Sequence, residues 1–373
     1  MTRNNYKVKL RNIILKSISE LPVKRLQMSD RVSFSVLKQL VNISLLIVLS
    51  VILSVSAGCH SKVNSHTTIK VMTYNIHHGQ GIDGRLDLDR IAEIIRTENC
   101  DIVGLNEVDD NFGSRSDFQD QPRLLAEKLN MHYVYAPAII TPSSGEPGKA
   151  DKKVPDTKSS DTKKVVGTKM LGTKTPDSVH RHRKARRYGN ALLSRFPIKN
   201  AVTHKLYQRP EREPRTCLQA DIEIAGKDYT FFVTHLDHQI NDIRIMQVRD
   251  IIKILQKQSG TLRRTILMGD FNCHSADGAV VDVSPVGLVM KMLQDTFLLA
   301  GAEHDTSAVT NGNARIDYIF VSPDMADNVK SCRIINNSLT KFASDHFPVA
   351  AAIGESAACG KPMQQKNTQK TCP

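Results

Sequence analysis

The residues best equipped for chemistry in this chain are oxygen and imidazole donors. Glu107, Asp270, Asp317 and Asp345 supply carboxylates, Asn75 and Asn272 supply amides, and His235 and His346 supply rings that titrate near neutrality. A carboxylate-rich set of this kind suits a hard divalent cation, Mg²⁺ or Mn²⁺, commonly held by one or two carboxylates with water and substrate phosphate completing the shell. Histidines among carboxylates can move protons or stabilise charge developing on a phosphoryl centre. Taken singly, an Asp or His at a strand end is more often a cap or a satisfied polar group. The set matters because its members recur at comparable places.

Those places are strand ends, where a rigid scaffold presents side chains accurately. Thr68–Asn75 alternates and is rich in β-formers, which predicts a strand ending at Asn75. Leu88, Ile91, Ala92, Ile94 and Ile95 keep helical spacing behind Asp87 and Asp89, the pattern of an N-capped amphipathic helix. Asp101–Leu105 predicts a short buried strand delivering Glu107 just past its end. A helix over Pro122–Leu129 and a strand over Tyr133–Ala136 follow. Further strands fit Val202–Leu206, Thr216–Ile224, Tyr229–Leu236, Thr265–Met268, Ile316–Val321, Val329–Ile335 and Val349–Ile353, with a helix over Ile243–Gln256. His235 then ends one strand, Asp270 and Asn272 end another, Asp317 begins a third, and Asp345-His346 precede the last. The mixed order of elements predicts an α/β (α+β) protein rather than a regular parallel series.

In chain order the segments TYNIHHG, LNEVD, GNALLSRFP, THLDH, GDFN, RIDYIF and SDHFPV resemble the endonuclease/exonuclease/phosphatase superfamily, specifically its bacterial metal-dependent hydrolase branch. GDFN or SDH alone would be a weak signal; seven segments in register are specific. The resemblance covers 68–353 and implies a four-layer α/β sandwich, two central mixed sheets flanked by helices. It also implies roles. Glu107 matches the principal metal ligand, Asn75 supports metal or phosphate, and Asp345 matches a second metal-associated carboxylate. Asp270 matches the residue that positions or deprotonates water, Asn272 the phosphate holder, and His346 the histidine beside the scissile phosphate, oriented by Asp317. His235 matches the second active-site histidine. Asn106 departs from the pattern, since relatives commonly carry Gln there. His77 and His78 have ligand chemistry, but a hard-metal site of the resembled kind does not require them. Cys273, after GDFN, is read as a packing residue.

The net charge of +13 suggests a nucleic-acid binder until it is located. Residues 1–62 and 145–187 each carry +8, leaving about −3 for everything else, so the alkaline character belongs to appendages. Leu45–Ala57 is an uncharged run of thirteen residues, short for a membrane-spanning helix of about 20 but suited to a signal-peptide core. Basic residues precede it, and Val55-Ser56-Ala57-Gly58-Cys59 follows, which resembles a bacterial lipobox with Cys59 as the lipidated residue. The expected organisation is an export segment over 1–58, a spacer over 59–67, a catalytic domain over 68–353 and a polar tail over 354–373. The Lys/Thr/Ser-rich stretch 143–187 is too poor in large apolar residues to order itself and is expected to be a disordered basic insertion. The expected protein is an exported, membrane-anchored lipoprotein facing the periplasm or exterior. It would hydrolyse a phosphate ester, either a phospholipid-type substrate or, as an extracytoplasmic nuclease, nucleic acid. A non-catalytic binding module on the same fold would require a degraded motif, and none is present.

Overall fold

A computed structural model of the chain describes residues 68–142, 185–257, 262–274, 284–301, 309–312 and 314–354. Contacts divide the chain into Met1–Ser65 and His66–Pro373, and every described residue belongs to the second unit. The export segment, Cys59, the spacer, most of the basic insertion and all but the first residue of the tail lie outside the described residues.

Twelve described strands form two six-stranded sheets. The first runs β11(Val329–Ile334), β12(Val349–Gly354), β1(Thr68–Asn75), β2(Ile102–Asp110), β4(Arg186–Ser194) and β3(His132–Thr141). The second runs β5(Ile198–Lys205), β6(Thr216–Ile224), β7(Lys227–His235), β8(Thr265–Asp270), β10(Asp317–Val321) and β9(Gln294–Asp295). Only β1 with β2 and β7 with β8 pair in parallel. One apolar cluster, including Val71, Leu192, Phe231, Val233 and Met268, fills the space between the sheets. Gly104 marks how closely they approach, because a Cβ there would lie 2.9 Å from the Met268 sulfur.

Helices cover the outer faces. α1(Leu88–Glu98) is capped by the Asp87 carboxylate, which accepts from the Arg90 amide at 3.0 Å, and Asn99 ends it in the left-handed conformation. Its apolar stripe of Leu88, Ile91, Ala92, Ile94 and Ile95 packs on the first sheet beside α2(Gln121–Leu129). Each large side chain so buried contributes roughly 1.5–3 kcal/mol. α3(Asn241–Gln256) and α4(Pro285–Met290) cover the second sheet through Val248, Ile251, Leu255, Val286 and Val289; α5(Thr296–Leu299) is a single turn beside β9. The layers are therefore helix, sheet, sheet, helix, the four-layer sandwich the sequence motifs implied.

Several boundaries differ from expectation; β5, for one, starts at Ile198 rather than Val202. β3 extends to Thr141 and β4 begins at Arg186, so the two form one long hairpin arm with Thr141 opposite Arg186. Arg186 and Arg187 thus belong to the sheet rather than to the insertion. Tertiary partners draw them in: Arg187 pairs with the buried Asp110, and the Arg186 guanidinium donates to the Phe112 carbonyl at 2.6 Å. Likewise β2 does not stop before Glu107. It continues through a bulge in which Asn106 and Glu107 together oppose Asn190.

Candidate active site

The two parallel pairs place their carboxyl ends on one edge of the sandwich. Asn75 lies beside Asn106, His235 beside Asp270, and Asp270 opposite Asp317. The β2 bulge aims two side chains differently. Glu107, at φ 56°, faces this edge, while Asn106 turns between the sheets. There the Asn106 amide donates to the Asn190 side-chain oxygen and the Thr234 carbonyl, both at 2.9 Å, and accepts from the Asp270 amide at 3.0 Å. Asn therefore performs a clamp between sheets. Gly269 makes room for it: at φ 144°, a Cβ would fall 1.9 Å from the Thr234 carbonyl oxygen.

Asn75 is the hub. Its amide nitrogen donates to Glu107 and to Asp270, each at 3.0 Å, and lies 3.5 Å from His346 Nε2. Its side-chain oxygen accepts from the His77 amide at 3.1 Å, so it bridges carboxylates rather than offering a free oxygen. Asp317 receives His346 Nδ1 at 2.8 Å, and the far ring nitrogen of His346 stands 3.7 Å from Asp270. The Ser344 hydroxyl donates to the Asn75 carbonyl at 2.8 Å and accepts from the His346 amide, fastening the SDH turn to the end of β1. Asp270, Asp317 and His346 are all buried, and their donor atoms lie within 4.8 Å of one another. The second Asp317 oxygen has no hydrogen-bond partner, an orphan acceptor of the kind a cation or water satisfies.

His235 completes the group at 3.5 Å from Asp270, and a residue the sequence reading passed over determines its state. Arg215, buried, donates to His235 Nδ1 at 3.0 Å and to His238 Nδ1 at 3.3 Å, and pairs with Glu213 at 2.8 Å. Nδ1 of His235 is thereby an acceptor, and the ring's proton sits on Nε2, facing Asp270. The signal for it was indirect: counting back from the tight β6–β7 turn at Ala225-Gly226 puts Thr216 opposite His235, with Arg215 one residue beyond.

Burial separates the protonation states. It pushes the Asp270 carboxyl up, with the Asp317 charge adding to it, to about 7. Burial would lower His346, but the Asp317 carboxylate and its hydrogen bond outweigh it and hold the imidazolium up to about 10. Burial and then the Arg215 cation press His235 well below its ordinary value. One histidine is a cation at neutrality and the other a neutral donor.

The remaining positions are less central. Asn272, at φ 47°, donates its amide to the Leu236 carbonyl at 3.1 Å, and its backbone N–H donates to Asp270 at 2.8 Å. Asp345 is exposed and touches Ser344 at 3.3 Å; it belongs to neither trio of clustered ligand atoms among the described residues. The other trio is His77, His78 and Glu107.

The model of the Endonuclease/Exonuclease/phosphatase family matches residues 72–346, and the chain belongs to that family of phosphoester hydrolases. Among solved structures, an endonuclease/exonuclease/phosphatase from Beutenbergia cavernae is 22% identical with a TM-score of 0.51, covering 77% of this chain and 71% of that one. A family protein from Bacteroides thetaiotaomicron is 19% identical at 0.52, covering 78% and 99%. A mannosyl-6-phosphatase from the same species is 18% identical at 0.51, covering 76% and 99%. These likenesses concern the fold. No curated protein matches the sequence.

Proposed function

We propose that this protein is a divalent-metal-dependent phosphodiesterase that cleaves its substrate by in-line attack of water on phosphorus. The observation that carries the reading is the convergence of Asp270, Asp317, His346 and His235 at one edge, joined to Glu107 through the Asn75 amide. Asp270, held near neutrality, is suited to align and deprotonate water. His346, kept protonated by Asp317, is suited to stabilise the phosphoryl oxygens and protonate the leaving group. His235 offers a neutral Nε2–H to a phosphoryl oxygen, and Asn272 and Asn75 hold the surrounding groups in place.

The donor set fits Mg²⁺ or Mn²⁺: Glu107 as principal ligand, held in place by the Asn75 amide, with the orphan Asp317 oxygen and the Asp345 carboxylate as further oxygen donors. A cation there would neutralise charge accumulating on the phosphate.

For the substrate, a phospholipid-type head group is favoured by what surrounds the mouth. Of six exposed large apolar side chains among the described residues, Ile82, Phe118, Ile140 and Phe342 lie on connections or strand ends at this edge. Register sets the flanking strand ends there, since Asp110 faces Arg187, Ile140 faces the same Arg187, and Thr73 faces Val349. The export signal, Cys59 lipidation and a basic 143–184 segment leaving the same hairpin would all keep the enzyme at an anionic membrane. No helix among the described residues is long and apolar enough to cross one. Hydrolysis assays with Mg²⁺ or Mn²⁺ against sphingomyelin, phosphoinositides, DNA, RNA and small diesters test this. Lipid turnover without polynucleotide turnover is expected; the reverse would make the protein an extracytoplasmic nuclease, and no hydrolysis of any ester would refute the enzyme.

A further inference from the structure

His77, His78 and Glu107 each offer a ligand atom, all within 4.8 Å of one another, although a hard-metal site has no need of imidazole. The two rings are placed by unusual backbone. His77 and His78 both sit at φ 44°, Gly79 follows at 77°, and Glu107 faces them at 56°. Left-handed conformation is unfavourable for residues with a Cβ, and three such positions around one small volume mark a site that the fold maintains against local preference.

Gln80 orients both rings. Its backbone carbonyl lies 3.1 Å from His77 Nδ1, so that nitrogen donates and Nε2 keeps its lone pair. Its side-chain oxygen lies 3.3 Å from His78 Nε2, so Nδ1 of that ring keeps its lone pair instead. The Gln80 amide donates onward to the Gly84 carbonyl at 3.1 Å, which fixes the direction of its oxygen. His78 is buried at 5% exposure, and its Nδ1 has no hydrogen-bond partner. A buried acceptor left unpaired costs stability unless something fills the position. One ring nitrogen tied to a carbonyl and the other free is the usual dress of a metal-binding histidine. Asn75 meanwhile occupies one Glu107 oxygen at 3.0 Å.

We infer that His77, His78 and Glu107 form a two-histidine, one-carboxylate site for a transition-metal ion, which binds Zn²⁺ ahead of Mn²⁺ and Mn²⁺ ahead of Mg²⁺. The inference rests on the reading of Glu107 as principal ligand and changes the class of ion it receives. Imidazole suits zinc and its neighbours, whereas magnesium favours oxygen and retained water.

The test begins with the unaltered full-length protein labelled with ¹⁵N-histidine and loaded with Mn²⁺. Pulsed electron paramagnetic resonance should show couplings to two imidazole nitrogens. His77→Gly and His78→Asn, both compatible with left-handed backbone, should each remove one coupling and weaken Zn²⁺ binding by roughly tenfold or more. Zinc on other histidines and cysteines cancels in the comparison with the double variant. Gln80→Leu should retain both couplings with weaker affinity. In chelator, His77→Gly should melt no lower than the parent, because glycine relieves the backbone; this separates ligand loss from misfolding. Absence of nitrogen couplings in the parent, or their persistence in the double variant, would overturn the inference. Turnover of a small diester, measured in parallel, reads the proposed function separately. Nitrogen-bound metal without turnover would leave the site and remove the enzyme reading, and turnover without nitrogen coupling would do the opposite.

Discussion

Glu107 and Asp270 are both carboxylates at one mouth, both held by the same Asn75 amide, yet their surroundings are built on opposite plans. Around Asp270 the groups are buried and answer one another: Asp317 holds His346, Arg215 holds His235, and strand pairing sets Asp270 opposite Asp317. Around Glu107 the carboxylate is half-buried, three backbones are left-handed, and the buried His78 Nδ1 has no hydrogen-bond partner. The first corner is compensated but for one unpaired Asp317 oxygen, and so can hold protons in defined places. The second is uncompensated, the condition expected where a cation is needed. The contrast shows how one fold separates proton chemistry from ligand chemistry within a few ångströms.

The largest effects should come from the compensated corner. Asp270→Ala and His346→Ala should each lower turnover by about two orders of magnitude or more, without rescue by added metal. Near-normal kcat in a folded His346→Ala protein would erase the distinction between the corners. Glu107→Ala should also lose activity, but with a raised metal requirement that excess ion partly meets; a titration of kcat against metal concentration separates the two behaviours.

The charge assignment predicts a stability signature in chelator. His346 titrates at about 10 in the fold against about 6.5 in the unfolded chain. Its contribution is therefore complete below the unfolded value and disappears as pH rises through about 10. The urea stability of the parent should exceed that of His346→Gln by a few kcal/mol near pH 6, and the gap should narrow toward pH 10. A gap that widened with pH would reverse the assignment.

Arg215→Met should act through His235. Without the guanidinium the ring loses its fixed tautomer and the cation that helps hold it neutral, so protonation moves to higher pH. A loss of roughly tenfold in kcat is expected, as for one misplaced donor, together with an upward shift of the acidic limb of the pH profile. A purely structural arginine would lower stability and leave that limb in place.

The smallest effect on turnover should follow replacement of residues 145–184 by a Gly/Ser linker. Activity on a soluble diester should persist, while salt-sensitive binding to anionic vesicles weakens, as screening over about 8 Å implies. The cut must spare Arg186 and Arg187, which pair within β4. Loss of diester turnover in a folded protein would place the segment in the site.

Much of this was legible in the chain itself. The strand ends that carry Asn75, His235, Asp270 and Asp317 are where alternation and turn residues put them, and Asp87 announced the start of α1. Those features depend on near neighbours, and so do propensity and capping. Glu107 was found by its motif but misplaced beyond the strand, because a bulge is a matter of pairing with Asn190 and leaves no local mark. His77 and His78 were set aside on composition of the site alone. Their claim depends on Gln80 and on Glu107 arriving from the neighbouring strand.

The sequence by itself therefore determined the inventory: which donors exist, which strands carry them, and the family they indicate. Tertiary structure alone decided their states. Asn75 meets Asp270 across 195 positions, and His346 meets Asp317 across 29. Which histidine is charged and which carboxyl is protonated follows from burial and from fields set by such partners, quantities that exist only once the two sheets have closed on each other.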